Sequence, residues 1–247
     1  DLVFHLASVV GVKNVVENGI KTITTNMQGT ENVLNCASER NIPVILTSTS
    51  EVYGLNDSFK EDDCRLMGPT SVGRWSYSCI KSIDEHLALA YNKEKGLPVI
   101  IVRLFNTIGP RQSPDYGMVV PRFIKAALKD QDIIVYGDGK QTRCFIDVLD
   151  AVEGLVKLMS CNQAVGQVVN LGSEEELSII NLAKKIKSLT KSSSNIVFNP
   201  YDKVYNADFT DMKRRVPDIN KLISLIGFKP KTSIDHSLSR IIDHLKK

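Results

Sequence analysis

Apolar and polar positions along the chain follow two alternating periods. Short apolar runs rich in β-branched residues predict strands at residues 2–7, 43–46, 99–104, 133–136 and 168–171. Apolar residues three or four positions apart predict helices at 26–40, 73–95, 117–129, 148–159, 178–189, 219–226 and 233–245. Strands that alternate with crossover helices form mostly parallel sheets covered on both faces. We therefore expect an α/β fold with a doubly wound parallel sheet.

The pattern changes near the middle of the chain. Up to about residue 106 the alternation is regular, whereas prolines and glycines interrupt smaller elements beyond it. We expect a nucleotide-binding domain of residues 1–110, to which residues 144–172 return. Residues 111–143 and 173–247 are then expected to form a smaller mixed α/β lobe at the C-terminal side that binds substrate.

Composition and charge narrow the possible functions. Hydrophobic residues make up 43% and charged residues 24% of the 247, which is ordinary for a globular domain. The net charge of +3 is spread over interleaved acids and bases, so we expect no nucleic-acid partner. The apolar runs are too short to span a bilayer, so we expect no membrane partner. Five separated cysteines without a CxxC pair predict neither a disulfide framework nor a metal site, and favour a cytoplasmic protein with reduced thiols.

A tyrosine and a lysine form the strongest local signal. Tyr77 and Lys81 are four residues apart in the predicted helix 73–95, which places them on one face. A cation one turn away favours the phenolate and lowers the tyrosine pKa. Such a pair can accept a proton from a sugar hydroxyl while a hydride leaves the same carbon. The spacing is common by chance, and a surface tyrosine near a lysine is the alternative interpretation.

Hydroxyl side chains follow the predicted strand 43–46. Residues 47–50 are Thr-Ser-Thr-Ser, and Glu51 comes next. Ligands of open parallel sheets bind just beyond the carboxyl ends of the strands, so these hydroxyls can meet a substrate oxygen beside Tyr77. The alternative is that they only cap the following turn.

At this point the sequence resembles the extended short-chain dehydrogenase/reductase family, which contains NAD-dependent nucleotide-sugar epimerases, dehydratases and decarboxylases. The resemblance covers nearly the whole chain. The matching segments, in chain order, are His5-Leu6-Ala7, Asn26 to Thr30, Thr49, Tyr77 with Lys81, Arg103 to Pro110, Tyr136 to Val148, and Arg214 to Asp218. Each motif is weak alone, but their common order makes the resemblance specific.

The resemblance implies a Rossmann-like fold, NAD as cofactor and a nucleotide-sugar substrate, with a UDP-sugar favoured. The implied catalytic residues are Thr49, Tyr77, Lys81 and Glu51. The implied cofactor-binding residues are His5, Leu6, Ala7, Asn26, Thr47, Tyr77, Lys81 and Phe105. The implied substrate-binding residues are Ser50, Asn106, Arg122, Tyr136, Arg143 and Arg215. Family members pair through the helices that match 26–40 and 73–95, so we expect a homodimer.

Part of the family pattern does not occur in this sequence. The family starts with a strand, a Gly-rich turn that holds the cofactor pyrophosphate, and a helix. The sequence contains neither GxGxxG nor GxxGxxG, and it begins with what reads as a strand under way. We therefore expect a fragment that lacks about 60 residues at its start, the length of two βαβ units. On that expectation the fragment alone binds NAD weakly.

The reaction type depends on a few side chains. In Thr49-Ser50-Glu51, Ser50 replaces the Asp of the dTDP-glucose dehydratases, and the triplet resembles GDP-mannose dehydratases and UDP-glucuronate decarboxylases. The later segments resemble 4-epimerases. We favour a UDP-sugar 4-epimerase that acts through transient oxidation at C4. The alternatives are a UDP-glucuronate decarboxylase or an NDP-sugar 4,6-dehydratase and, from another class, a non-catalytic regulatory protein that binds nucleotide sugars.

Overall fold

The structure of the protein, a computed structural model, describes residues 1–114, 118–201 and 212–246. The strands in these residues are β1 Val3–His5, β2 Val44–Thr49, β3 Val99–Leu104, β4 Thr107–Ile108, β5 Ile133–Tyr136, β6 Thr142–Cys144, β7 Ile146–Asp147, β8 Val168–Leu171, β9 Glu176–Ser178 and β10 Ile196–Asn199. The helices are α1 Val12–Glu17, α2 Gly19–Glu39, α3 Trp75–Lys95, α4 Val119–Ala127, α5 Val148–Met159, α6 Ile179–Thr190, α7 Asn220–Ile226 and α8 Ile234–Leu245.

The central sheet is parallel, in the strand order β1–β2–β3–β8. His5 pairs with Leu46, and Leu46 pairs with Ile101. This register aligns the ends of β2 and β3, where Thr49 pairs with Leu104, and the parallel direction brings the carboxyl end of β1 to the same edge of the sheet. A ligand site is expected at that edge.

Helices cover both faces of this sheet. On one face, Leu34 of α2 and Ala88 of α3 pack against Leu46 and Ile101. On the other face, α5 and α7 pack against β3 and β8. Because both faces are buried, β3 is a nearly continuous apolar run, as parallel strands are. The predicted doubly wound α/β fold is therefore confirmed.

A second apolar core lies beyond the sheet. It joins α4, α6 and α8 to β5. The small strands around it pair as β5 with β10, β4 with β7, and β6 with β9, the last pair antiparallel. Among the described residues, no helix is long and apolar enough to cross a membrane.

Most predicted elements are present, but several bounds differ. β2 continues to Thr49 because residues 47–49 pair with β3, and α2 begins at Gly19 rather than at residue 26. The predicted helix 117–129 is α4, although residue 117 lies outside the described residues. The division into two domains stays a prediction. Residues 220–226, assigned to the lobe in that division, pack as α7 in the core of the sheet.

Candidate active site

A pocket of about 460 Å³ opens at the carboxyl ends of the central strands. Twelve of the residues predicted for the site line it, which are Leu6, Thr47, Thr49, Ser50, Glu51, Tyr77, Phe105, Asn106, Arg122, Tyr136, Arg143 and Arg215. The other four predicted residues do not line the pocket; they are His5, Ala7, Asn26 and Lys81. The fold thus gathers residues that lie as far apart in sequence as Leu6 and Arg215.

The phenol of Tyr77 lies between two hydroxyl groups. Its oxygen is within hydrogen-bonding distance of the side chains of Ser8 and Thr49. Thr49 ends β2, and its Oγ1 also accepts from the backbone N–H of Glu51 at 3.2 Å, which holds the threonine in place. The arrangement suits proton transfer between a substrate hydroxyl and Tyr77.

The pKa of Tyr77 differs from the sequence expectation. It is raised to about 12, mainly by burial; the nearby carboxylates of Glu51 and Asp84 also act to raise it, whereas hydrogen bonds with Ser8 and Thr49 act to lower it. The predicted net lowering of this pKa is therefore wrong for this arrangement of groups. Desolvation of the phenolate and two negative charges outweigh the effect of one cation.

The ammonium group of Lys81 is buried behind the pocket wall. Only 3% of its side chain is exposed, and Nζ donates to Asp84 Oδ2 at 3.0 Å. His5 is also buried here, with Nε2 3.3 Å from Thr30 Oγ1. Burial and the charge of Lys81 lower the pKa of His5, so this histidine is neutral at pH 7.

Glu51 is held by two arginines from distant parts of the chain. Its Oε1 accepts from Arg215 Nη2 at 2.6 Å, and its Oε2 lies 3.6 Å from Arg74 Nη2. Arg215 also donates to Ser50 Oγ at 3.4 Å. Both arginines are less than 10% exposed, and both line the pocket. The wall near Tyr77 therefore carries two guanidinium groups against one carboxylate, an excess of positive charge.

The opposite end of the pocket combines arginines with a tyrosine ring. The guanidinium of Arg122 stacks over the ring of Tyr136 at 4.0 Å. Arg143 of β6 is 8% exposed and donates to two backbone carbonyls, of Thr142 and Met212. Asn106 Nδ2 donates to a third carbonyl, Cys144 O, at 2.9 Å. Flat cationic groups beside an aromatic ring suit a nucleotide with its phosphates.

The segment after β1 is shaped by Asn26. Its Oδ1 accepts from Val9 N at 2.7 Å and from Ser8 Oγ at 3.1 Å, and its Nδ2 donates to Val9 O. These hydrogen bonds hold Ser8 beside Tyr77. Asn26 itself does not line the pocket, whereas the exposed Leu6 does. Ala7 is exposed as well.

The described residues near Tyr77 fit the nicotinamide half of NAD. Leu6 and Val10 give an apolar wall, and the hydroxyls of Ser8 and Thr47 stand beside it. Thr47 Oγ1 is itself held by donating to the His5 carbonyl at 3.0 Å. A flat ring with a polar ribose matches such a mixture of apolar and hydroxyl groups at a strand edge.

Several site residues are missed by sequence reasoning. Ser8, Arg74, Gln112 and Tyr201 line the pocket without having been predicted to do so. Ser8 directly follows the His-Leu-Ala segment, and Arg74 lies three residues before Tyr77, so both had a local signal. Gln112 and Tyr201 had none.

Comparison with known proteins identifies the family of the chain. Residues 1–172 match the model of the NAD dependent epimerase/dehydratase family. The protein therefore belongs to this family, whose members are NAD-dependent enzymes that act on nucleotide sugars. The predicted family, enzyme class and cofactor are confirmed.

Three known proteins are similar over the whole chain. A UDP-N-acetyl-alpha-D-glucosaminuronate decarboxylase of Bacillus cytotoxicus is 47% identical, and the chain covers 77% of its length. UDP-glucuronic acid decarboxylase 1 of Xenopus tropicalis is 38% identical, and the chain spans 57% of it. The crystal structure of UDP-glucuronic acid 4-epimerase of Bacillus cereus with UDP-glucuronic acid and NAD is 29% identical, with a TM-score of 0.88, and the chain covers 75% of it.

Proposed function

We propose that the protein is a decarboxylase of UDP-hexuronates, which it first oxidises at C4. The observation that carries this proposal is the pair of buried arginines beside Tyr77. Glu51 uses only part of the hydrogen-bonding capacity of Arg215, because Arg215 Nε has no hydrogen-bond partner among the described residues. A buried guanidinium N–H without a partner calls for an acceptor, and a substrate carboxylate is the acceptor that arginine pairs with best.

The proposed chemistry divides among residues of the pocket. Tyr77 accepts the proton of the C4 hydroxyl, and Thr49 donates a hydrogen bond to the same oxygen. When bound, NAD supplies the acceptor for the hydride that leaves C4. The product of this oxidation is a β-keto acid, so the C5–C6 bond breaks with release of carbon dioxide, and its electron pair moves toward the C4 oxygen. The negative charge that develops there is stabilised by Tyr77 and Thr49, after which C5 takes up a proton. Tyr77 then gives its proton back to the C4 oxygen as the hydride would return to C4, which would leave Tyr77 and the cofactor in their starting states.

Glu51 has an orienting role in this proposal. A β-keto acid loses carbon dioxide without the help of a base, so the carboxylate is not needed to remove a proton at C5. Its contact with Arg215 at 2.6 Å instead holds the guanidinium in one orientation. The sugar is thereby placed with its carboxylate next to Arg215 and its C4 hydroxyl next to Tyr77.

The relatives support the choice of substrate. Two relatives that are at least 38% identical are named as decarboxylases of UDP-hexuronates. The more similar one is named for an N-acetylated sugar, and we propose UDP-N-acetylglucosaminuronate as the preferred substrate and UDP-glucuronate as the second.

A 4-epimerase is the second candidate. It is supported by the similarity to the UDP-glucuronic acid 4-epimerase of Bacillus cereus, whose substrate also carries a carboxylate. Oxidation and reduction at C4 need only Tyr77, Lys81 and Thr49, so the same site serves either reaction.

The test is incubation of the NAD-loaded protein with a panel of UDP-sugars, with products identified by mass spectrometry and NMR. The panel pairs each UDP-hexuronate with the UDP-hexose that lacks the carboxylate. We expect the hexuronates to lose carbon dioxide and the hexoses to remain unchanged. An unchanged mass with inverted C4 would identify the epimerase, and loss of water would identify a dehydratase.

We also propose a homodimer through α2 and α3. The exposed apolar side chains on these helices are Ile20, Ile23 and Met27 of α2 and Ile83 of α3, and Ile20 is 83% exposed. Leu34 of α2 does not belong to this surface, because it lies in the core of the subunit. Light scattering should give a dimer mass for the protein and a monomer mass for Ile20→Glu; a dimer in both would place the interface elsewhere. The cytoplasmic location stays a prediction.

A further inference from the structure

A carboxylate of α3, that of Asp84, lies next to the catalytic pair Tyr77 and Lys81. Tyr77, Lys81 and Asp84 are spaced by four and three residues, so they follow one face of the helix. The Asp84 side chain is 1% exposed, and among the described residues its only ion-pair partner is Lys81, at 3.0 Å. Asp84 does not line the pocket. It therefore reaches substrate only through Lys81 and Tyr77.

We propose that Asp84 is a positioning residue, which holds the Lys81 ammonium in one place and offsets part of the charge that this cation presents to Tyr77. A lysine ammonium has three N–H donors. The bond to Asp84 uses one and fixes the direction of the others, which stay available to the groups around Tyr77. Without this anchor, a long side chain with several rotatable bonds would have to be ordered by the ligand alone.

The charges around Tyr77 come from several elements. β1 contributes His5, which is neutral, and α3 contributes Lys81 and Asp84. The segments after β2 and before α3 contribute Glu51 and Arg74, which lie 3.6 Å apart. The remaining charged groups of the pocket wall come from the lobe and the C-terminal part of the chain, and they are Arg122, Arg143 and Arg215.

Of these groups, Asp84 is the carboxylate paired with the catalytic lysine. Its negative charge contributes to the raised pKa of Tyr77, next to burial and Glu51. Loss of the charge leaves Lys81 without its counter-ion, which favours the phenolate and lowers the pKa of Tyr77. Activity that needs the phenolate rises with pH through this pKa, so removal of the charge must move the acidic limb of the pH profile to lower pH.

The test is the variant Asp84→Asn, which keeps the shape and removes the charge. We expect the acidic limb of kcat/KM to move down by about one pH unit, the size of effect that a nearby charge has on a titrating group. The KM for the UDP-hexuronate should stay unchanged, because Asp84 does not line the pocket. Asp84→Glu keeps the carboxylate, so the acidic limb of its kcat/KM should lie at the same pH as in the unchanged protein. Glu94→Gln removes an exposed charge from the far end of the same helix and should leave the profile unchanged.

A second readout does not depend on catalysis. In protein with ¹³C-labelled tyrosine, the signal missing from Tyr77→Phe identifies the Tyr77 phenol carbon. At the same alkaline pH, Asp84→Asn should show more phenolate than the unchanged protein.

The inference rests on the proposed use of Tyr77 as the base, but the NMR titration tests it separately from any product assay. It would be overturned if Asp84→Asn left both the acidic limb of kcat/KM and the NMR titration of the Tyr77 phenol unchanged. An equal shift in Asp84→Glu would also overturn it, because packing rather than charge would then be the cause. If Asp84→Asn does not fold, Asp84→Ser is measured in its place with the same two expected results.

Discussion

Replacement of Arg215 by alanine is the perturbation that separates recognition of a carboxylate from recognition of the nucleotide. Arg215 is 5% exposed and reaches Glu51 at 2.6 Å, while its Nε has no partner among the described residues. Removal of a charge-assisted hydrogen bond to the substrate costs about 1.5–3 kcal/mol. At 25 °C this is about a 10- to 150-fold rise in KM for a UDP-hexuronate. Glu51 keeps Arg74 at 3.6 Å, so the variant does not leave it without a cation.

The adjacent residue provides a matched control. The Arg214 side chain is 54% exposed and pairs with Glu176 at the surface, a contact worth less than about 1 kcal/mol. Steady-state kinetics of Arg214→Ala should therefore match those of the unchanged protein. UDP, which has no carboxylate, is a control ligand, and its inhibition constant should be the same in Arg215→Ala. If KM for the hexuronate does not change in Arg215→Ala, the proposed carboxylate site is wrong. If KM and the UDP constant rise together, Arg215 binds the diphosphate instead.

Three further variants, one of them with a control variant, test other parts of the site and the fold. Tyr77→Phe should lower the rate of NADH formation in a single turnover by about 10²–10⁴-fold or more, with substrate affinity largely kept; near-normal turnover would remove Tyr77 from the mechanism. Glu51→Gln should keep partial activity, and NADH that accumulates without released product would favour dehydration. Glu85→Gln leaves Arg103 buried without its carboxylate and should lower the free energy of unfolding by about 3–5 kcal/mol in urea titrations. Exposed Glu153→Gln should lower it by less than about 1 kcal/mol, and equal losses would contradict this account.

The frame of the site could be predicted from sequence because it depends on regular spacing. The apolar run of β3 and the helical period of α3 place the strand ends and the Tyr77–Lys81 face with few alternatives. The hydroxyl group at residues 47–50 follows from the same logic, since a hydroxyl at the end of a parallel strand faces the ligand edge, whereas the choice of Thr49 among them comes from the family resemblance. Contacts between distant segments are different. The pairing of Glu51 with Arg215 joins residues 164 positions apart, and no period in the sequence reports it.

The electrostatics of the site depend on burial, which the spacing does not measure. The sequence places Lys81 one turn from Tyr77 and thus predicts a lowered tyrosine pKa. It gives no sign that Asp84 neutralises this lysine or that the phenol is desolvated. The short strands β4, β6, β7 and β9 were missed for a related reason. They have two or three residues each, too few to show a period, and they are held by pairing partners far along the chain.

Release of the C6 carboxylate tests the central claim most directly. UDP-N-acetylglucosaminuronate and UDP-glucuronate, each labelled with ¹³C at C6, are followed by NMR in the presence of the NAD-loaded protein and of its Tyr77→Phe variant. The account predicts that the labelled carbon leaves as carbon dioxide and bicarbonate with the unchanged protein, and that it stays on the sugar with Tyr77→Phe. Label that remains on a sugar inverted at C4 would contradict decarboxylation and establish the epimerase instead.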